Sequence, residues 1–272
     1  CRPPTRTSIR SLLSPSGRAV RVRGLHAHNQ KTEHGQAGQR LALNLAGVEK
    51  TEVRRGDWLL PAAAHAPTQR IDARLRLLPS EAKPLAHWTP VHLHLGAEDV
   101  GARVALLEGQ SIAPGSSALV QLELERPIGA LHADRFIIRD QSAQRTLGGG
   151  TVIDIFAPPH GRSGRRKSQR LAWLSALEQP SAEAALQQAL TLEQPNGIDL
   201  TQFVTLWSLP SDAQTALTSA VPHRLVVDDK TRLLFTPRQI EQFLERVADL
   251  LRAHHQRNPD SPGLTLEQLQ RA

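Results

Sequence analysis

Tyrosine and methionine are absent from this chain of 272 residues, aromatic residues make up only 3% of it, and Cys1 is its single cysteine. One cysteine excludes a disulfide framework or a thiolate metal site within one chain, which fits a reducing compartment such as the cytosol. The scarcity of aromatic residues means that Leu, Val, Ile and Ala must form the core. No apolar run approaches the roughly 18 residues that a membrane span needs, so we expect no membrane partner.

Positive charge is in excess. Lys and Arg number 33 against 26 Asp and Glu, which gives a formal net charge of +7. This excess favours a polyanionic partner, with nucleic acid the leading candidate, although a generally basic proteome would produce the same balance. The length suits two or three domains of about 100–150 residues each. Because the chain begins at cysteine rather than methionine, we expect it to be part of a longer protein or the product of an imperfect gene model.

The stretch 18–60 has the alternating pattern of β-strands. In residues 40–46, three leucines fall on one face and four polar or small residues on the other, which predicts a half-buried strand. Residues 20–23 alternate in the same way, and the turn 55–57 leads into a short apolar strand, 58–60. Together they predict a piece of a small antiparallel barrel whose polar face carries Arg40, Asn44 and the histidine cluster of residues 26–34.

A second β region follows the Pro- and Ala-rich linker 61–67. Short alternating runs are separated by Gly and Pro turns, which predicts a second antiparallel barrel. We expect the three glycines Gly148, Gly149 and Gly150 to break the chain before a last strand over residues 151–155. The alternating runs lie near residues 71–77, 91–95 and 118–124, and residues 134–139 are a further predicted strand, rich in Phe and Ile.

After residue 168 the apolar period changes from 2 to about 3.6, which predicts helices. Asp199 is a plausible cap, and Ser211 with Gln214 and Thr236 with Gln239 form capping-box patterns. Residues 225–227 and 233–235 favour a β-hairpin, and helices followed by a hairpin suggest a winged-helix module. The predicted helices carry Leu171, Leu174 and Leu177; Leu186 and Leu190; Phe203, Leu206 and Trp207; residues 211–220; and a stripe of Ile240, Phe243, Leu244, Val247, Leu250 and Leu251.

Two constellations could carry chemistry, and we favour the plain interpretation of both. Residues 161–168 imitate a phosphate-binding loop, but the second glycine is misplaced and no apolar strand precedes it. We therefore predict no catalytic residue. His92 and His94 share one face of a strand and could chelate zinc, yet no third ligand stands at a convincing spacing, so we predict no metal site.

Several segments resemble the bacterial selenocysteine-specific elongation factor family. They read VRVRGLHAHNQ, AGQRLALNLAG and RRGDWLL, then DRFIIRDQSAQRTLGGG and RRKSQRLAWLSALEQ. The likeness covers nearly all of the chain after about Ser14. It implies the second and third domains of a translational GTPase followed by a winged helix, with the GTPase domain and the last winged helices outside this chain.

The pattern and the resemblance together predict a mixed fold, β first and then α: two antiparallel β-barrels, the first incomplete, followed by a winged-helix module. The predicted divisions are 1–10 disordered, 11–64 the partial first barrel, 65–157 the second barrel, 158–168 a basic linker, 169–257 the winged-helix module, and 258–272 a linker with the start of a next module.

The resemblance also implies a function in the cytoplasm. It implies a tRNA-binding body that delivers selenocysteyl-tRNA to the ribosome at recoded UGA codons. RNA of the selenocysteine insertion element would be bound through domains outside this chain. GTP and magnesium belong to the GTPase domain of the family, so we expect no cofactor in the chain itself.

Two groups of residues are candidates for contacting RNA. In the family the second domain holds the aminoacyl end, and a fixed guanidinium can pair with an ionised selenol. This makes Arg40, with His26 and Asn44, the candidate pocket, unless Arg40 is an ordinary surface residue. The densest basic run, Arg162, Arg165, Arg166, Lys167 and Arg170, could neutralise phosphates, or could simply keep a linker soluble.

Two rival functions stay open on the sequence. A winged-helix transcriptional regulator with a β sensor domain would share the element order, but the candidate recognition helix, residues 211–220, contains no Lys or Arg. A metalloenzyme using the histidines is the other rival, and metal analysis would decide it.

Overall fold

The computed structural model describes residues 10–159, 164–228 and 231–271. The predicted disorder of residues 1–10 lies outside this part except at Arg10, which begins the first strand. The chain forms two compact units, Cys1–Leu174 with Thr205–Ser208, and Ser175–Val204 with Leu209–Ala272.

The first unit opens with a five-stranded antiparallel sheet in the order β3-β2-β1-β5, with β4 pairing to β2. Alternating residues form these strands as predicted, and the Arg54–Asp57 turn leads into the last of them. The turn is closed because Arg54 N donates to Asp57 Oδ2 at 2.7 Å. The strands are β1 (Arg10–Ser14), β2 (Arg18–Ala27), β3 (Gln30–Thr32), β4 (Leu41–Ala46) and β5 (Trp58–Leu60).

The leucine face of β4 is less buried than the alternation predicts. Leu41 and Leu45 are half-buried, but Leu43 is 41% exposed. Alternation determines which side chains share a face, whereas burial depends on what packs against that face. The expectation of a half-buried strand is therefore correct only for its two outer leucines.

A closed six-stranded barrel makes up most of the first unit, in the order β11-β6-β13-β12-β8-β9. This confirms the prediction of a closed antiparallel sheet in the second β region. Its interior is filled by alternate residues, among them Ile71, Leu93, Leu122 and Ile138, all fully buried. The strands are β6 (Thr68–Leu77), β7 (Leu85–Ala86), β8 (Thr89–Leu95), β9 (Glu98–Leu106), β10 (Ser111–Ile112), β11 (Ser117–Ile128), β12 (Arg135–Arg139) and β13 (Thr146–Asp154), where β7 and β10 pair with each other.

The three consecutive glycines do not break the chain, which corrects the sequence prediction. Strand β13 runs straight through them. A Cβ atom on Gly150 would lie 2.0 Å from Arg74 O, and one on Gly148 would lie 2.3 Å from Arg76 O. Glycine inside a strand commonly marks such a close approach of another backbone.

The second unit is mainly helical and contains a three-stranded sheet in the order β14-β16-β15. The predicted hairpin is confirmed, because Leu225 pairs with Leu234 and Val227 with Arg232. Helix α1 begins in the first unit, earlier than predicted, and shortens the expected basic linker 158–168. The elements are α1 (Gly164–Leu177), α2 (Ala182–Thr191), β14 (Ile198–Asp199), α3 (Leu200–Leu206), α4 (Ser211–Ala220), β15 (Arg224–Val227), β16 (Arg232–Phe235), α5 (Pro237–Arg257) and α6 (Leu266–Arg271).

Two of the three predicted helix caps are confirmed. Thr236 and Gln239 form a reciprocal capping box at α5, and Asp199 Oδ1 accepts from Gln202 N at 3.0 Å. The predicted box at Ser211 is wrong, because Ser211 is already the first helical residue and Pro210 occupies the cap position. In the described part of the chain, no helix is long and apolar enough to cross a membrane.

Candidate functional site

The polar face of the first sheet brings two of the predicted residues together. Asn44 lies opposite Gly24, and His26 lies opposite Ala42, in the ladder between β2 and β4. Directly opposed residues share a face, and so do residues two apart along one strand. His26 and Asn44 are therefore neighbours on one face of adjacent strands, and both are exposed.

Arg40 stands immediately before β4, at the end of the loop that enters the strand. Gln39 N donates to Gln36 O at 3.1 Å, and Gln36 N donates to Gln39 Oε1 at 3.1 Å. Gly35 lies so close to Leu41 that a Cβ atom on it would meet Leu41 Cδ1 at 2.3 Å. These contacts order the loop on both sides of Arg40. Arg40 is exposed and makes no hydrogen bond or ion pair with the described residues.

The basic run does not form one cluster. Arg166 is exposed and Lys167 is half-buried in the first turns of α1. Arg162 and the side chain of Arg165 lie outside the part that the structure describes. Arg170 is separated from the exposed cations, because its side chain is only 12% exposed and is held between two carboxylates.

Arg170 is the centre of a buried polar cluster against the barrel. Its guanidinium lies 2.5 Å from Asp72 Oδ2 and 2.9 Å from Asp154 Oδ2. Trp173, one turn further along α1, donates from Nε1 to Asp154 Oδ2 at 2.9 Å. Gln121 Nε2 donates to Asp72 Oδ1 at 2.9 Å. These side chains fasten the start of α1 to strands β6, β11 and β13, and we call them the Arg170 cluster.

Charge in the Arg170 cluster is unbalanced, since two carboxylates share one guanidinium. Burial raises the pKa of the Asp72 carboxyl, against the attraction of Arg170. Burial also opposes the charge on Arg170, but the carboxylates of Asp154 and Asp72 outweigh it, and the pKa of Arg170 is raised. The shared cluster therefore raises the pKa of both Asp72 and Arg170, and it keeps the arginine charged.

Sequence reasoning missed the Arg170 cluster and grouped Arg170 with the exposed cations. Asp72 and Asp154 occupy outward positions on two strands, where a charged residue usually faces water. They lie opposite each other across the β6–β13 ladder. This pairing joins residues 82 positions apart, so no local pattern could have indicated it.

A cavity of about 520 Å³ lies where the first sheet meets the barrel. Glu98, whose side chain is only 4% exposed, forms an ion pair there with Arg126. Gly56 lies next to Glu98, and its backbone has a positive φ of +97. His94 also lines this cavity, and His92 Nδ1 lies 3.1 Å from Asp99 Oδ1. Among the described residues, no three or more His, Cys, Asp or Glu side chains are grouped to hold a metal ion.

Comparison with known proteins identifies the relatives of this chain. A family profile described as the selenocysteine-specific elongation factor, beta-barrel domain, matches residues 68–159. The selenocysteine-specific elongation factor of Escherichia coli (strain K12) is 33% identical over 261 residues, covering 95% of this chain. That of Desulfomicrobium baculatum is 33% identical over 73% of the chain, and that of Haemophilus influenzae is 31% identical over 94%.

These relatives are much longer than the chain. It spans 39% of the Escherichia coli and Haemophilus influenzae proteins and 31% of the Desulfomicrobium baculatum protein. A solved structure, the bacterial selenocysteine-specific elongation factor EF-Sec, superimposes with a TM-score of 0.66 at 19% identity, over 97% of this chain and 40% of that one. At that identity the superposition establishes the fold alone.

Proposed function

We propose that this chain, which belongs to the family of selenocysteine-specific elongation factors, is the tRNA-binding body of such a factor. The observation that carries the proposal is the 33% identity to the Escherichia coli factor over 95% of the chain. In this proposal the chain acts in the cytoplasm. It holds the acceptor end of selenocysteyl-tRNA while the tRNA is delivered to the ribosome at recoded UGA codons.

The finer architecture is part of the same proposal. The five-stranded sheet would be a portion of the second-domain barrel of a translational GTPase, and the closed barrel would be the third domain. The helices with the sheet β14-β16-β15 would be a winged-helix module. The order of helices followed by a hairpin supports this assignment.

The polar face beside Arg40 is the proposed pocket for the aminoacyl group. An ionised selenol is an anion at neutral pH, and Arg40 carries a guanidinium that is not committed to any described partner. His26 and Asn44 add side chains able to donate a hydrogen bond on the same face. An anion that meets a charged donor forms a stronger hydrogen bond than a neutral group does.

In this proposal, the binding of GTP, magnesium and the insertion-element RNA belongs to other domains of the family. GTP and magnesium would be bound by the GTPase domain of the family, and RNA of the selenocysteine insertion element by further winged helices. Helix α4, the candidate recognition helix, contains no Lys or Arg. This gives no support to a transcriptional regulator that reads DNA through that helix.

Replacing Arg40→Ala tests the pocket. Loss of one charge-assisted hydrogen bond costs about 1.5–3 kcal/mol, so binding of selenocysteyl-tRNA should weaken roughly tenfold or more. Binding of seryl-tRNA, which carries a neutral hydroxyl, should weaken much less. Fluorescence titration with both tRNAs measures the difference.

Arg246→Ala is the matched control, since it removes an exposed arginine from α5. It should leave the ratio of the two affinities unchanged. Equal losses for selenocysteyl-tRNA and seryl-tRNA in Arg40→Ala would remove the selenol-binding role.

A further inference from the structure

Helix α1 starts in an electrostatically unfavourable way. Residues 165–167, which follow its first residue Gly164, are three consecutive cations, and its first turn contains no acidic residue. The N-terminal end of a helix carries a partial positive charge and favours anions. A helix of 14 residues also has little stability of its own in water. The beginning of α1 therefore depends on contacts with the rest of the protein.

The Arg170 cluster supplies those contacts. Arg170 donates hydrogen bonds to Asp72 and Asp154, and Trp173 donates one to the same Asp154 oxygen as Arg170. One turn beyond Arg170, Leu174 is fully buried. Residues three and four apart share a helix face, so these three side chains form one anchoring face on α1.

Two further cations, Arg166 and Lys167, lie one turn before this anchor. Arg166 and Lys167 precede Arg170 by four and three residues, so they continue the same face toward the helix start. Arg166 is exposed and Lys167 half-buried, whereas Arg170 is enclosed. Two consecutive turns of α1 therefore differ in what they can do. Arg170 attaches the helix to the barrel, and the cations before it stay available to a ligand.

We infer that Arg170 is a positioning residue, which through Asp72, Asp154 and Trp173 fixes the start of α1 on the barrel and so holds Arg166 and Lys167 in place for RNA phosphates. This inference rests on the proposed function, because it assumes that the chain binds tRNA. It reassigns Arg170, which the sequence suggested as a direct RNA contact. The ligand class is the phosphate backbone of a structured RNA.

The charge of the partners allows a sharp test. Asp154→Asn removes a negative charge and loosens Arg170 without touching any cation. If Arg170 contacted RNA directly, this change would leave tRNA affinity equal or higher. If Arg170 positions α1, tRNA affinity should fall at least fivefold, and amide exchange of residues 165–174 should accelerate at least tenfold.

Three further variants complete the experiment in the full chain. Arg170→Met should accelerate amide exchange over residues 165–174 in the same way. Trp173→Phe keeps an aromatic ring, although a smaller one, and loses the N–H donor to Asp154. It should give an intermediate acceleration, and it serves as the test if Arg170→Met fails to fold. The double variant Arg166→Ala with Lys167→Ala should not accelerate exchange near Arg170, because it leaves the anchor intact and removes unfavourable charge from the helix start. It should also reduce the salt dependence of tRNA binding by up to about two released counterions.

The possible results separate the two levels of the argument. Unchanged exchange in both Asp154→Asn and Trp173→Phe, or equal or higher tRNA affinity in Asp154→Asn, would overturn the positioning role alone. If the double variant binds tRNA as the parent chain does, with the same salt dependence, Arg166 and Lys167 are not RNA contacts and the inference falls with that premise. A chain that binds no tRNA at all would instead overturn the proposed function.

Discussion

At the scale of single residues, Asp72 is the most deeply buried ionisable side chain among those that the structure describes. It is fully buried, and it shares the guanidinium of Arg170 with Asp154. Desolvation disfavours the charged form of a carboxyl group, and a neighbouring carboxylate adds to this effect. Both act against the attraction of Arg170, so the pKa of Asp72 in the folded chain lies above its ordinary value of 3.8.

This raised pKa predicts a pH dependence of stability. The folded state binds the Asp72 proton more tightly than the unfolded state does, so the contribution is complete below about pH 3.8 and declines as pH rises through the folded pKa. In Asp72→Asn this decline is absent. The stability of the parent chain relative to Asp72→Asn should therefore decrease between pH 4 and pH 7 in urea unfolding. A relative stability that increases with pH would show that Arg170 dominates and that the pKa is lowered.

The close packing around Gly150 predicts how much stability the barrel loses when one methyl group is added there. Its Cβ would lie 2.0 Å from Arg74 O and 2.8 Å from the Phe136 ring. Because a backbone oxygen cannot move aside easily, Gly150→Ala should destabilise the barrel by about 1–3 kcal/mol or more. Gly24→Ala is the control, since nothing lies within 4 Å of its Cβ position. If both variants unfold at the same urea concentration, the described packing of β13 is incorrect.

The caps give a prediction at the scale of secondary-structure elements. Thr236 accepts from Gln239 N at 3.1 Å at the start of α5, so Thr236→Ala should destabilise the second unit by about 1 kcal/mol. Ser211→Ala should have an effect within about 0.5 kcal/mol, because Ser211 lies inside α4 and caps nothing. Thermal unfolding compares the two. A larger loss in Ser211→Ala would contradict these cap assignments.

Elements were predictable where the determining signal is local. Alternation indicated the strands around Leu43 and Leu93, and the Thr236–Gln239 box indicated where α5 begins. The sequence pattern gave the wrong prediction where a residue's environment is determined by a strand far away in the sequence. The glycines of β13 are explained by the backbones of β6 and β12, and the enclosure of Arg170 is explained by aspartates on two strands. The predicted neighbourhood of His26 and Asn44 agrees with the ladder, whereas their contact with a ligand stays a prediction.

At the scale of the whole molecule, both proposed RNA-binding groups lie in the first unit. The polar face beside Arg40 belongs to its first sheet, and Arg166 and Lys167 belong to the part of α1 that the same unit contains. The excess of positive charge supplies a general attraction to RNA. We therefore expect variants of the second unit, such as Arg246→Ala, to change tRNA binding little.

The most direct test of the central claim is a titration of the 272-residue chain against labelled selenocysteyl-tRNA and, separately, duplex DNA of equal charge, between 50 and 200 mM salt. The account predicts tighter binding of the tRNA at every salt concentration, with an affinity that falls as salt rises. Equal or tighter binding of the duplex DNA would contradict it.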